Sequence, residues 1–364
     1  MVKIVHAADF HLDSAFVGLT EEKARQRRRE SRENFRRLAR LVREEEVDLV
    51  LLAGDLFDGQ RVYPETLECL RETLGEMECP VFIAPGNHDP YTPSSPYAGE
   101  RWPENVHIFR SESLTAVELP ELNCVVHGAA FTSQQRQSEA LAGGGVPADG
   151  KLHLLCLHGD VTAADSRYGR ITKDQIAVSG LDYLALGHVH QFSGLQQQGG
   201  VTWAYPGCPE GRGFDELGDK GVLIGTVERG SVQLEFKPLC SRRYRVIRMD
   251  VTDMPIRQAM ESVVSSVAVD DICRVIFTGE TDEVGVDLGA LERDYAHRFY
   301  VLQLRDETCV SRGIWDRAGE DSLRGLFLSE MRGRYDSAAD EAERKKITLA
   351  VRFGLAALDG RDMG

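Results

Sequence analysis

Five short clusters of metal-binding side chains each follow an apolar run of strand length, and this recurrence limits what the chain can fold into. Val2-Lys3-Ile4-Val5, Leu49-Val50-Leu51-Leu52, Val81-Phe82-Ile83, Leu152 to Leu157 and Tyr183-Leu184-Ala185-Leu186 are the runs. They lead into Asp9-Phe10-His11, Gly54-Asp55, Gly86-Asn87-His88-Asp89, His158-Gly159-Asp160 and Gly187-His188-Val189-His190. Short continuous apolar runs mark strands buried on both faces. In layered α/β folds the carboxyl ends of the strands gather the loops that carry chemistry, so clusters far apart in sequence are expected to meet at one place.

Around these runs the pattern predicts a layered α/β chain with mixed sheets. Helices are expected over Glu21 to Glu45, Glu65 to Glu78 and Ser133 to Ala142. Val201 to Tyr205, Gly221 to Val227 and Val232 to Pro238 read as successive short strands with turn residues between them. Pro90 to Pro103 and Ala142 to Gly150 read as irregular loops. The pattern changes near Leu239 to Arg243. Beyond it, Tyr244 to Asp250, Pro255 to Val267, Ile272 to Thr278, Leu288 to Tyr295 and Tyr300 to Arg305 follow the β-α-β-α-β order of a small α+β domain. Asp321 to Leu358 carries two helical patterns joined near Arg334 to Ser337. The expected domains are 1–240, 241–310 and a helical segment 311–364, the last packing on its own domain or offering a groove to a partner helix.

The cluster residues have the chemistry of a divalent-metal centre. Carboxylate, imidazole and amide oxygen without thiolate suit Mn, Fe, Zn or Co, with manganese the first expectation, and a histidine-rich set disfavours Mg or Ca alone. Two neighbouring ions need a shared ligand, and a carboxylate such as Asp55 can bridge while offsetting charge. Asp9 and His11 are then candidates for one ion, with His190 reaching it from the other side, and Asn87, His158 and His188 for the second. Spacing alone leaves that division open. His88 adjoins the amide ligand and is the candidate general acid for the leaving oxygen. Asp89 either orients that imidazole or caps the turn at Pro90. The expected nucleophile is a hydroxide bridging the two cations. Asp13 and Asp58 are candidates for supporting ligands from behind, Asp160 either caps a following segment or supports His158, and His6, His107, His127, His153 and His297 are expected to be structural.

Composition narrows the partners. The 364 residues are 42% hydrophobic, enough for more than one core. No apolar stretch approaches the roughly 18 residues that span a bilayer, and Met1-Val2-Lys3-Ile4 runs directly into the first strand, so a cytoplasmic protein without membrane contact is expected. The eight cysteines are scattered without a Cys-x-x-Cys pair, which argues against a disulfide framework or a thiolate zinc site. A net charge of −15 argues against coating nucleic acid by bulk electrostatics. A local positive patch remains open, because Arg25, Arg27, Arg28, Arg29, Arg32, Arg36, Arg37, Arg40 and Arg43 share one predicted helix, although interleaved glutamates favour a solvated, ion-paired face.

At these residues the chain resembles the calcineurin-like metallophosphoesterases, whose motifs D-x-H, G-D, G-N-H-D/E, H and G-H-x-H occur here in that order. Within the family, Ala7 to Asp13, Ala53 to Asp58 and Ala84 to Asp89 are similar to DNA-repair exonucleases of the SbcD type, the YhaO-like bacterial group in particular. Tyr205-Pro206-Gly207-Cys208-Pro209-Glu210-Gly211-Arg212-Gly213-Phe214-Asp215-Glu216 is similar to the Gly-Ser-Pro-Glu-Arg stretch of related nucleases. The resemblance implies an αββα sandwich with a capping domain. It implies Asp9, His11, Asp55 and His190 on one ion and Asp55, Asn87, His158 and His188 on the other, with His88 acting on the leaving group. It also implies DNA as substrate, a C-terminal segment engaging an SMC-like coiled-coil ATPase of the SbcC type, and a homodimer. One departure is Asp58, where some nuclease relatives carry His. The alternatives are a phosphodiesterase or phosphatase for a non-DNA phosphoester, and a scaffold in which catalysis is incidental.

Overall fold

The computed structural model describes residues 1–139, 141, 145–281 and 286–360. The chain forms two compact units, Met1–Ser241 and Arg242–Gly364.

In the first unit the elements run β1 (Val2–Ala7), α1 (Glu21–Glu44), β2 (Leu49–Leu52), α2 (Pro64–Gly75), β3 (Val81–Ile83), α3 (Pro96–Gly99), β4 (Val106–Ile108), β5 (Thr115–Leu119), β6 (Cys124–Gly128), β7 (Leu152–His158), α4 (Lys173–Val178), β8 (Tyr183–Gly187), β9 (Gln196–Gln198), β10 (Val201–Ala204), β11 (Gly221–Glu228) and β12 (Ser231–Pro238). They build two six-stranded sheets, ordered β12-β11-β1-β2-β3-β4 and β5-β6-β7-β8-β10-β9. β1 to β4 are parallel, as are β6, β7, β8 and β10; β11 and β12 add antiparallel strands at one edge of the first sheet, and β5 and β9 do so at both edges of the second.

Strand periodicity explains the layering. Val2, Ile4, Leu49, Leu51 and Phe82 of the first sheet meet Cys124, Val126, Leu154, Cys156 and Tyr183 of the second in one buried core. The alternate residues Val5, Val50, Leu52, Val81 and Ile83 face outward, where Phe35, Leu38, Leu70 and Leu74 of α1 and α2 cover them. On the far side Leu155, Leu157, Leu184 and Leu186 pack with Ile176 of α4. The result is an αββα sandwich, and central strands such as β2, β3 and the Leu154–Leu157 part of β7 read as continuous apolar runs because both of their faces are covered. His6 ties the sheets together: its Nδ1 accepts from the Tyr183 hydroxyl at 2.8 Å and its Nε2–H donates to the Leu186 carbonyl at 3.1 Å.

The helix expected over Ser133 to Ala142 does not form. Residues 133–139 are bends and irregular backbone, Arg136 is bridged to Tyr168, and Ala140 and Ala142 lie outside the described residues. Arg136 is held by pairing with residues 167–169 of the same chain instead of within a helical turn. Of the loop expected over Ala142 to Gly150, residues 142–144 lie outside the described residues, and the rest is irregular.

The second unit contains β13 (Tyr244–Asp250), α5 (Ile256–Ser266), β14 (Ile272–Thr278), β15 (Glu280–Thr281), α6 (Leu288–Tyr295), β16 (Val301–Asp306), β17 (Cys309–Val310), α7 (Leu323–Asp336) and α8 (Glu341–Leu358). β13, β14 and β16 form a parallel sheet with β14 central. Its core joins Cys273, Val275, Phe277 and Leu304 to Ala259, Met260, Val263 and Leu291 of α5 and α6. Leu328 and Met331 of α7 pack with Val351 and Leu355 of α8, and Arg352 donates to the Thr308 carbonyl at 3.0 Å, fastening α8 beside β17.

Candidate metal centre

The strand-end clusters converge at the carboxyl edges of the two sheets. The loop after β1 zips onto the loop after β2 through backbone bonds from Asp9 N to Gly54 O (3.0 Å) and from His11 N to Asp55 O (2.9 Å). The approach forces unusual backbone: Asp9, His11, Asp55 and His188 all have positive φ, at 56°, 44°, 50° and 117°. Non-glycine residues in such conformations hold conformational strain that the surrounding structure must offset, a feature concentrated at functional sites. Two motif glycines follow from the same crowding. A Cβ on Gly54 would strike the His158 imidazole, and one on Gly86 would strike the Asp55 carboxylate.

Side-chain hydrogen bonds decide which atoms face the centre. The Nδ1–H of His11 donates to Asp58 Oδ1 at 3.0 Å, and that of His158 donates to the Ala53 carbonyl at 3.0 Å. His190 Nδ1 lies 2.7 Å from Glu216 Oε1 and 3.0 Å from Arg212 Nη2; the carboxylate contact is the shorter and a carboxylate oxygen only accepts, which places a proton on Nδ1 there too. With the rings neutral, all three Nε2 atoms present lone pairs to the centre. His11 Nε2 and His190 Nε2 are 3.2 Å apart and cluster with Asp9. His158 Nε2 lies 3.0 Å from Asn87 Oδ1 and 3.4 Å from Asp55 Oδ2. Asp55 Oδ2 is also 3.7 Å from His11 Nε2, so one carboxylate reaches both groups.

Lone pairs aimed at lone pairs repel unless a proton or a metal cation lies among them, and this set of nitrogens and oxygens fits divalent metal. The electrostatics agree. Burial, then the neighbouring Asp55, holds the Asp9 carboxyl well above its ordinary range, and burial, then Asp89, pushes Asp55 up to about 7. Burial lowers His11 to about 3 and His158 and His188 to about 4, keeping the imidazoles neutral as ligands require. His188 stands beside this group. Its backbone N–H donates to both Asp9 carboxylate oxygens at 3.1 Å, its ring centroid is 5.4 Å from that of His158, and its Nε2 faces Asp160 at 3.9 Å. A cavity of about 350 Å³ opens next to it, lined by His188, His190, Gln191, Thr162 and Lys220 among others.

His88 lies at the mouth, its side chain 45% exposed, with Nδ1 3.8 Å from Asp58. Asp89, expected either to orient His88 or to cap the turn at Pro90, makes its hydrogen bonds to neither. Its carboxylate accepts from Gly86 N (2.8 Å), Phe57 N (3.1 Å) and the Tyr97 hydroxyl (2.5 Å), which holds the Asn87-His88 turn from behind. Asp13 is likewise structural, accepting from Tyr63 N and Thr66 Oγ1. Asp160 caps its own turn through Thr162 N and Ala163 N. His127 and His153 form a chain with Asp149 on strands β6 and β7, through contacts of 3.0 and 2.9 Å.

Sequence reasoning assigned no role to Glu216 or Arg212. Arg212 contacts Asp58 at 3.2 Å and Glu216 at 2.9 Å. The run Gly207 to Glu216 carried the available signal, but its partners lie far away in sequence. Nor do the α1 arginines form a free positive face: Arg27 pairs with Glu30 and Glu210, Arg32 with Asp13, Arg36 and Arg40 with Glu33, and Arg43 with Glu76.

Comparison with known proteins agrees with this geometry. The chain is 31% identical over 260 residues to the uncharacterized metallophosphoesterase YhaO of Bacillus subtilis, covering 68% of this chain and 63% of that protein. It is 26% identical over 261 residues to the DNA double-strand break repair protein Mre11 of Methanopyrus kandleri, covering 65% and 56%. Over 123 residues it is 28% identical to one component of the nuclease SbcCD of Staphylococcus epidermidis, covering 33% and 31%. The matched segments thus span less than two thirds of each of these relatives. The model of the calcineurin-like phosphoesterases matches residues 2–192, the stretch that supplies every strand-end cluster described above, and the chain belongs to that family.

Proposed function

We propose that the protein is a two-metal phosphodiesterase acting on DNA. The observation that carries the metal-dependent part is the convergence of imidazole nitrogens, above all His11 Nε2 and His190 Nε2 at 3.2 Å, with the buried carboxylates Asp9 and Asp55. In this reading Asp9, His11 and His190 hold one ion and Asn87, His158 and His188 the other, and Asp55 serves both. Manganese suits the mixed imidazole, carboxylate and amide set, and Fe, Zn or Co are the other candidates. Bound there, the ions supply Lewis-acid charge for the phosphoryl oxygens and an activated water.

The protein's own groups do the rest. Asp58 and Glu216 hold imidazole protons on Nδ1 and keep Nε2 free. The Ala53 carbonyl does the same for His158. His88, accessible at the mouth and beside Asp58, donates a proton to the departing oxygen, while Asp89 and Tyr97 fix the turn that carries it. The similarity to Mre11 and to the SbcCD nuclease component supports DNA as the phosphodiester, and by the same likeness a coiled-coil ATPase of the SbcC type as partner, with α7 and α8 as its docking segment, and a homodimer. The ion-paired state of the α1 arginines favours DNA contacts elsewhere, and it is the observation that keeps a smaller phosphodiester as the second reading.

The test is manganese-dependent cleavage of end-labelled linear DNA, with bis-p-nitrophenyl phosphate in parallel. Both substrates should be cut. His88→Ser should bind manganese as the parent does and lose roughly 10²–10⁴ of turnover, the range of general-acid removal. Cleavage of the small diester alone, with and without a coiled-coil ATPase partner, would move the assignment to the second reading.

A further inference from the structure

We infer that Glu216, Arg212 and Asp58 form a positioning frame that holds the imidazoles of His190 and His11 for one ion, and that Glu216 is its principal member. This rests on the two-metal reading above and goes beyond it, because none of the three is counted among the ligands.

The frame is continuous. Glu216 Oε1 receives the Nδ1–H of His190 at 2.7 Å and Arg212 Nη2 at 2.9 Å, and Glu216 Oε2 receives the Arg212 backbone N–H at 2.7 Å. Arg212 Nη1 then reaches Asp58 Oδ1 at 3.2 Å, the oxygen that accepts the Nδ1–H of His11 at 3.0 Å. Ser14 Oγ donates to the other Asp58 oxygen at 3.0 Å. Two ligands carried by the loops after β1 and β8 are thereby joined through one guanidinium. The Glu216 side chain is 6% exposed and the Arg212 side chain 19%, so water competes little for these bonds.

The loop that delivers both residues is itself pinned. Glu210 bonds to Arg27 and Asn34 of α1 and accepts from Ser241 N at 2.8 Å, and Arg27 Nη2 donates to the Gly211 carbonyl at 3.0 Å. Lys220 Nζ donates to the His190 carbonyl at 2.9 Å, fixing the backbone behind the ring. A carboxylate behind a ligating histidine sets tautomer and ring orientation and raises the basicity of the coordinating nitrogen, and its loss costs about 10–100-fold in metal affinity.

The experiment titrates the full-length, metal-stripped protein with manganese, reading free Mn²⁺ by electron paramagnetic resonance, with apo melting temperatures in parallel. The parent should bind two ions; a parent that binds none overturns the metal-centre reading itself. Glu216→Ala should weaken one of the two sites by about 10–100-fold and leave the other unchanged, while Glu216→Gln, which keeps an acceptor oxygen for Nδ1–H, should recover most of that loss. If the parent binds two ions and Glu216→Ala binds both as tightly, the frame does not position a ligand. Equal weakening of both sites with a fall in apo melting temperature would make Glu216 a folding residue. Equal loss in the Ala and Gln variants would mean that its charge, not its acceptor geometry, is what acts.

Discussion

At the residue scale, the histidines divide by what their second nitrogen does. In His11, His158 and His190 one nitrogen is tied to an acceptor and the other is left bare toward the centre, whereas His6 spends both, on the Tyr183 hydroxyl and the Leu186 carbonyl. Desolvation lowers His6 from 6.5 to about 3. Its folded pKa is thus below its unfolded one, so its contribution is fully present above about pH 6.5 and is lost as pH falls toward 3, where the unfolded chain takes up a proton that the fold refuses. Its limiting slope is about 1.4 kcal/mol per pH unit. Glutamine can make the same two bonds without titrating. His6→Gln should therefore show a shallower fall of the urea midpoint between pH 7 and 5 than the parent, and parallel curves would sink the assignment. The sequence marked His6 as structural only because it lacked a companion ligand; that it joins the two sheets required the structure.

At the element scale, α1 shows what a charge pattern leaves open. Nine arginines along one helix left room for a phosphate-binding surface while interleaved glutamates favoured an ion-paired face; several are paired with carboxylates, and Arg27 is fully buried against Glu210. That pair locks the loop after β10 to α1. Removing one partner of a buried ion pair leaves an uncompensated charge and costs about 3–5 kcal/mol. Glu210→Ala should lower unfolding stability by that order in urea denaturation, whereas Glu33→Ala on the exposed side of the same helix should change it by less than about 1 kcal/mol. Similar losses for the two would mean that the helix contributes through bulk charge. The helix bounds themselves were legible, since Glu21 to Glu45 was expected and Glu21–Glu44 is observed. Thr20 caps its start and Glu21 and Glu22 fill its first turn, the local signals that mark such a boundary. Ser133 to Ala142 had a helical composition, but residues 133–139 form no helix, and Arg136 pairs with Tyr168 instead.

At the scale of the whole molecule, every proposed ligand belongs to the first unit, Met1–Ser241, which has its own cores between and outside its sheets. A fragment of residues 1–241 is expected to fold, bind manganese and cleave bis-p-nitrophenyl phosphate at near-parental rate while losing DNA cleavage. In the full chain, manganese at about 100 times its dissociation constant should raise the stability of this unit by about 2.7 kcal/mol. Calorimetry should then show one transition that moves with metal and one that does not. A fragment that fails to bind metal would mean that the second unit helps build the centre. With a net charge of −15, any DNA engagement must be local, and its salt dependence would count the phosphates contacted.

From its sequence alone this chain determined the kinds of ligand atoms, their order and their placement at strand ends. Metal chemistry dictates residue type, and a buried parallel strand announces itself as an unbroken apolar run, so both are written locally. Only the tertiary structure decided which groups stand behind those ligands. Asp58 rather than Asp89 adjoins His88, Glu216 backs His190, and Arg212 joins the two sides. These partners are separated by up to 154 residues in the chain, and their roles rest on hydrogen-bond direction and distance, which no local pattern encodes.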